Sequence, residues 1–227
     1  MSLTLLEIRT RVRSCIKRES TSLSDSTVDS YINQSQRGIA RLHTFSEMYK
    51  TEEAVTVASQ KHYTYPERMK DIFSIRLIDN GSSRKLIRVD SRRFDDLVPY
   101  PENLAEARST HYIDFGTYFE AYPVPDAVYS LYMRISKFPK ALTADSDESD
   151  LDEKDDIIIA GANGYGMEEL RELDDATYWF KRFRELLNEA IKGDHTPGDW
   201  TSGAAPFRLG TFPIGRLDTN PFSGFNL

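Results

Sequence analysis

The sequence predicts an α+β protein in which terminal helices form a helical bundle, a small antiparallel β sandwich or barrel is inserted between them, and an extended C-terminal arm follows. Three observations predict it. Apolar residues recur at helical spacing near the start of the chain and again after Asp155. Between them the pattern changes to short β-rich runs punctuated by Gly, Pro and Asn. The last 34 residues then hold four of the ten prolines and five of the twelve glycines, which leaves no helix or long strand intact. The expected units are a helical hairpin at 1–50, the β insert at 51–140, an acidic loop with two packing helices at 141–193, and the arm at 194–227.

The first helix opens on Thr4-Leu5-Leu6-Glu7, a capping box in which the threonine and glutamate each satisfy the other's backbone N–H. Leu5, Ile8, Val12 and Cys15/Ile16 form its apolar stripe, whereas Arg9, Arg11 and Arg13 point apart. A polar break from Glu19 to Ser24 ends it. The next helix carries Val28, Tyr31/Ile32, Ser35, Ile39 and Leu42 on one face. In the insert, Ala54–Val57 and His62–Tyr65 flank a polar turn. Ile72–Ile78 and Lys85–Val89 flank Asn80-Gly81, a strong hairpin signal. Ser91 is the expected cap of a short helix reaching Leu97, and His111–Phe115, Tyr118–Tyr122 and Val128–Ser136 complete about seven strands. Helices are expected from Asp155 to Leu173 and from Asp175 to Lys192, with Gly193 as C-cap and Tyr178, Trp179, Phe183, Leu186, Leu187 and Ala190/Ile191 on the apolar face of the last.

Composition excludes several classes. The net charge is −7, with 29 basic and 36 acidic residues, so a protein that grips DNA phosphates through a basic face is disfavoured. The imbalance is local: residues 141–193 carry six basic and fifteen acidic groups. No run of about 18 apolar residues predicts a membrane span. The start of the chain does not read as a secretory leader, and the lone Cys15 makes no internal disulfide, which fits synthesis in a reducing compartment. His43, His62, His111 and His195 are scattered, and no zinc, nucleophile-elbow or Walker pattern occurs. No catalytic, metal or cofactor site is expected.

Two stretches approach known motifs. Ile157–Gly166 imitates a strand entering a glycine loop, but a dinucleotide site requires a following parallel strand and an acid about 20 residues on. The better reading is a small-residue face for close helix contact. The run Asp145–Asp156 echoes a calcium loop but has Asp150 where glycine belongs and Asp156 in place of the bidentate Glu. Asp145, Asp147, Glu148 and Asp150 are therefore expected to form a solvated loop. The arm is polar in its punctuation yet carries Trp200, Phe207, Leu209, Phe212, Ile214, Leu217, Phe222 and Phe225, anchors that a disordered linker normally lacks. These eight residues are the expected partner-binding set.

The order of elements resembles that of tailed-phage head-to-tail adaptor proteins, most closely those of short-tailed phages. The resemblance rests on Leu3-Thr4-Leu5, Ile8-Arg9, Val12-Arg13 and Ile16, then Asp25, Val28, Tyr31-Ile32-Asn33-Gln34, Gln36-Arg37 and Ile39-Ala40-Arg41. It continues through Tyr63-Thr64-Tyr65-Pro66, Lys70–Ile75, Arg84-Lys85-Leu86, Tyr122–Asp126 and Phe138–Leu142, covering residues 3–142. The resemblance implies structural work without catalysis or cofactors. Such adaptors form a ring, typically of twelve copies, in the virion neck, made in the bacterial host's cytoplasm; for such a ring the resemblance implies a DNA channel that Asp145, Asp147, Glu148 and Asp150 would face as the alternative to a solvated loop. Implied partners are neighbouring copies, the portal protein above, a tail or nozzle protein below, and double-stranded DNA passing through without sequence-specific contacts; no membrane is involved. The alternative is a tail-fibre or other virion binding module using the β domain.

Overall fold

The structure is a computed structural model that describes residues 2–16, 23–79 and 81–194. It is α+β, with five α-helices and eight strands in two four-stranded sheets among the described residues. The chain separates into two compact units. Of the described residues, the first holds those up to Lys50, Arg68–Asp71, and Ser136 to Asp194; the second holds Thr51–Glu67 and Ile72–Ile135.

In the first unit, α1 (Leu5–Ile16) and α2 (Asp25–Leu42) share a core with α4 (Asp155–Glu169) and α5 (Leu173–Gly193). The predicted capping box forms: Thr4 N–H donates to Glu7 Oε2 at 2.9 Å and Glu7 N–H to Thr4 Oγ1 at 3.4 Å. Leu5, Ile8, Val12 and Ile16 bury the expected face of α1. Ser24 caps α2 by accepting from Thr27 N–H, and Val28, Tyr31, Ile32, Ser35 and Ile39 turn inward. Leu42, placed on that stripe by periodicity, is instead 64% exposed because the helix ends there at His43.

Helix α4 explains the glycine-rich stretch. From Ile157 to Gly164 every residue is buried, so the helix is enclosed on all sides rather than half-wetted. Three neighbours press on it where side chains are missing. A Cβ on Gly161 would stand 3.0 Å from the Phe183 ring and collide with Ser35 Oγ; one on Gly164 would stand 2.7 Å from the Phe180 ring; one on Gly166 would stand 2.8 Å from Ile16. The stretch is a packing face on α2, α5 and α1, not a nucleotide loop. Gly193 lies within α5, and Asp194 is its C-cap. Tyr178, expected on the apolar face of α5, is 63% exposed, while Trp179, Phe183 and Leu186 pack against the core.

The second unit's sheets contain strands β1 (Tyr49–Val55), β2 (His62–Thr64), β3 (Met69–Asp79), β4 (Ser82–Lys85), β5 (Ile87–Val89), β6 (His111–Asp114), β7 (Tyr118–Tyr122) and β8 (Ser130–Lys137). Their orders are β1-β8-β3-β4 and β2-β7-β6-β5. Neither sheet closes into a barrel among the described residues, and the second is mixed, because β5 pairs with β6 in parallel. The predicted Asn-Gly hairpin exists, with Asp79 opposite Ser82 and Gly81 at φ +82°. Its second strand is shorter than expected. At Leu86 the chain leaves one sheet for the other: Leu86 N–H donates to Ile75 O, and Ile87 N–H to Thr110 O. Leu86 is buried at that crossing. The runs flanking residues 58–61 do not pair either, since β1 and β2 belong to different sheets. Helix α3 (Ser91–Leu97) is capped by Asp90, which accepts from Arg92 N–H, rather than by Ser91. Its Phe94 covers the second sheet beside Ile113 and Tyr122. Tyr63, Tyr65 and Tyr112 gather around Phe119 in the same unit.

The enclosed helix generates a paired expectation. Gly161→Ala gains helix propensity of about 1 kcal/mol but overpacks against Phe183 and Ser35, for a net loss of about 1–3 kcal/mol. Gly38→Ala in α2, where the nearest atom is Tyr165 OH at 3.8 Å, gains stability of up to about 1 kcal/mol. Urea unfolding of the two variants checks the opposite signs.

Candidate functional site

Chemistry concentrates where the acidic segment meets the first two helices. A helix start leaves four N–H groups without intrahelical acceptors. Here Leu5 N–H donates to Asp147 O at 2.8 Å and Leu6 N–H to Asp145 O at 3.1 Å. Leu3 N–H donates to Asp155 Oδ2 at 2.8 Å, and Thr4 bridges Glu148 in antiparallel fashion. The most acidic stretch of the chain thus lies at the positive end of the α1 dipole.

Arg9 supplies the answering charge. Its side chain is 9% exposed, and its guanidinium holds Asp29 through Nε and Nη2 at 2.7 and 2.8 Å and Asp145 through Nη1 at 3.0 Å. A buried guanidinium is tolerable only with such fork pairing. The Asp29 hydrogen bond holds Arg9 above its ordinary pKa, against the opposing effect of burial.

A second set of bonds fixes the segment just before the acidic run. Asn33 of α2 treats Leu142 as a strand partner: its Nδ2 donates to Leu142 O at 2.9 Å and its Oδ1 accepts Leu142 N–H at 2.8 Å. One turn on, Gln36 Nε2 donates to Lys140 O at 2.8 Å, and its Oε1 accepts from Ser149 Oγ at 3.1 Å. Lys70, at the start of β3, donates through Nζ to Ala40 O and Thr44 Oγ1 at 2.7 and 2.6 Å. Phe138 N–H donates to Arg68 O at 2.7 Å. The roots of β3 and β8 are therefore tied to α2 by side-chain donors and acceptors.

Each acidic residue singled out in the sequence has a definite place. Asp145 is exposed but pairs with Arg9. Asp147 Oδ2 accepts from Thr143 N–H and Ala144 N–H, both at 2.9 Å, and these bonds, Ala144's above all, hold its carboxyl below the ordinary carboxylate value. Asp150 accepts from Lys140 N–H at 2.7 Å and Arg68 at 3.1 Å. Glu148 is exposed. Asp155, by contrast, is pushed above its ordinary value by burial, partly offset by the Leu3 N–H. The arm residues Trp200, Phe207, Leu209, Phe212, Ile214, Leu217, Phe222 and Phe225 lie outside the described residues.

The histidines stay apart. His43 pairs with Asp194 at 2.9 Å, His62 with Glu120 at 2.7 Å and His111 with Thr110 at 2.7 Å; His195 lies outside the described residues. Among the described residues no three His, Cys, Asp or Glu side chains gather as metal ligands, and no helix is long and apolar enough to cross a membrane. The second unit has an open cleft of about 590 Å³ beside His62, Leu104 and Tyr122.

Sequence reasoning passed over Arg9, Asn33, Gln36 and Lys70 as working residues, although all four fell within the stretches that carried the resemblance. The available signal was the i,i+3 spacing of Asn33 and Gln36, which sets two amides side by side along one flank of the apolar stripe of α2. Comparison with protein families matches residues 3–208 to the family described as SU10 adaptor protein. Comparison with curated proteins gave no match.

Two expectations follow. Asn33→Ala strands both the N–H and the C=O of buried Leu142, and should lower stability by about 2–3 kcal/mol, read by urea unfolding. The second concerns pH. Asp147 is depressed in the folded state, so its contribution is present above its unfolded value of 3.8 and fades as pH falls through the folded value. Asp147→Asn should therefore be less stable than the parent near neutrality, with the gap closing below pH 3.8, as measured by thermal melts across the acid range.

Proposed function

The chain belongs to the SU10 adaptor protein family, a family of phage head-to-tail adaptors, and from that premise we propose that it forms a ring in the virion neck. The ring, of twelve copies, joins the portal protein to the tail or nozzle protein and extends the channel through which double-stranded DNA passes. Its work is mechanical and needs no catalysis or cofactor. The observation that carries this reading is the extent of the match. It runs from the capping box of α1 through both units and into the arm, ending at residue 208.

The geometry supports a mechanical part. The roots of the inserted β strands are held by Asn33, Gln36 and Lys70, and the chain's opening helix is docked on the acidic segment. In this reading the arm completes the assembly. Its aromatics, Trp200, Phe207, Phe212, Phe222 and Phe225, offer on the order of 1,000 Å² of apolar cover at about 200 Å² each, the scale of one side of a specific interface. The surface they cover belongs to another subunit or to the portal. The acidic segment gives such a ring either a channel wall that repels DNA or a solvated rim, and the adaptor role holds with both.

Mass measurement tests the proposal. The protein alone should run as a 26.0 kDa monomer and join a closed ring only when the portal protein is added. A stable trimer formed without portal would overturn it in favour of a fibre-type binding module that uses the β strands.

A further inference from the structure

We propose that the outer edge of β1, at Thr51–Val55, receives residues 207–212 from the arm of a second copy as an added strand. The proposal rests on the ring reading above and names the surface that the arm takes.

The four sheet edges are not alike. β2 and β5 have three residues each, too short to template a partner. β4 has four residues, all exposed, and ends in Arg84-Lys85, the charged blunting that protects a natural edge. β1 has seven residues, and no strand borders its outer side among the described residues. Thr56 N–H donates inward to Tyr129 O at 2.8 Å. At the two-residue period of a strand, the N–H and C=O groups of Thr51, Glu53 and Val55 therefore point outward.

On the sheet face inward of that edge lies an open groove of about 540 Å³, lined by Glu53 and Val55 of β1, Leu131 and Tyr132 of β8 and Ile78 of β3 among others. Val55 is 57% exposed there. An added strand donates to its edge from alternate residues and a proline fixes φ and removes a donor, so prolines divide the arm into windows. The window between Pro206 and Pro213 is Phe207-Arg208-Leu209-Gly210-Thr211-Phe212, six residues against five on the edge. Phe207 and Leu209 fall on one face of such a strand, the face on which Glu53 and Val55 rim the groove, while Arg208 falls on the other face, the one that carries Glu52. The connection is long enough to leave its own subunit: the 13 steps from Asp194 to Phe207 span at most about 43–47 Å.

Cysteine pairing in the full-length protein tests this. In a Cys15→Ser background, Val55→Cys is combined in turn with Phe207→Cys, Leu209→Cys and Thr211→Cys, assembled on portal and oxidised. The expected result is a ladder of disulfide-linked multimers, reproduced as dimers when the two single-cysteine proteins are mixed. Rings that form normally but give only internally linked monomers, or no link at any of the three positions, overturn the inference and leave the adaptor reading standing. Failure to form any ring overturns both. Glu53→Pro removes one outward donor without touching the inner ladder, as edge strands tolerate. It should cause loss of ring assembly with an unchanged melting temperature, and normal assembly of a folded Glu53→Pro protein would count against the added strand.

Discussion

The pairing of Asn33 with Leu142 is the constraint from which much of the first unit's arrangement follows. A side-chain amide has two donors and an oxygen with two lone pairs, and here Asn33 gives one of each to the N–H and C=O of Leu142, while Asp29 O and Gln36 Nε2 take the others. That fixes the chain leaving β8 in position and direction against α2, and Gln36 repeats the fixing one helical turn later at Lys140. The acidic run begins three residues beyond Leu142. Its carbonyls and carboxylates reach the N–H groups of Leu3, Leu5 and Leu6 from this fixed starting point. Loss of the amide pairing would leave buried backbone groups without partners and release the segment that caps α1.

The acidity of residues 141–193 thereby acquires a use inside the subunit. Carbonyls of Asp145 and Asp147 meet helix donors, Asp145 and Asp29 neutralise Arg9, and Asp150 holds Arg68 and the Lys140 N–H. A strongly negative loop repels itself unless cations and helix dipoles oppose it, and the structure supplies both. The exposed acids of the segment include Glu148, Glu153, Asp174 and Asp175.

Much of the fold was legible because local rules and tertiary packing agree. The capping box at Thr4 and Glu7, the stripes of α1 and α2, and the Asp79–Ser82 turn are set by residues close in sequence, and the structure keeps them. What the sequence hid is non-local. Helix α4 is apolar and small on every side, so it lacks the one-sided periodicity that marks a surface helix and imitates a strand with a glycine loop. The crossing at Leu86 is a change of hydrogen-bond partner within one continuous β run, which no spacing rule registers. The parallel pairing of β5 with β6 depends on where Thr110 and His111 arrive from a distant part of the chain. The tethering side chains stayed hidden for a related reason. Arg9 reads as one of three scattered arginines until Asp29 and Asp145 are seen around it, and Asn33 reads as a solvent-facing amide until Leu142 is placed beside it.

These tethers bear on how an adaptor resists load. A strand pulled along its axis transmits force to its roots. Here the roots of β3 and β8 are held by Lys70 on Ala40 and Thr44, by Phe138 on Arg68, and by Asn33 and Gln36 on the chain just beyond. These bonds end on α2, on Thr44 just past its end, or on the other root, and α2 is packed against α4, whose missing side chains let the helices approach closely. Force entering at the β roots is thus received by the most enclosed part of the first unit rather than by its surface loops. Glycines that cost helix propensity in α4 are, in this light, what lets the helix that holds the strand roots be so firmly backed.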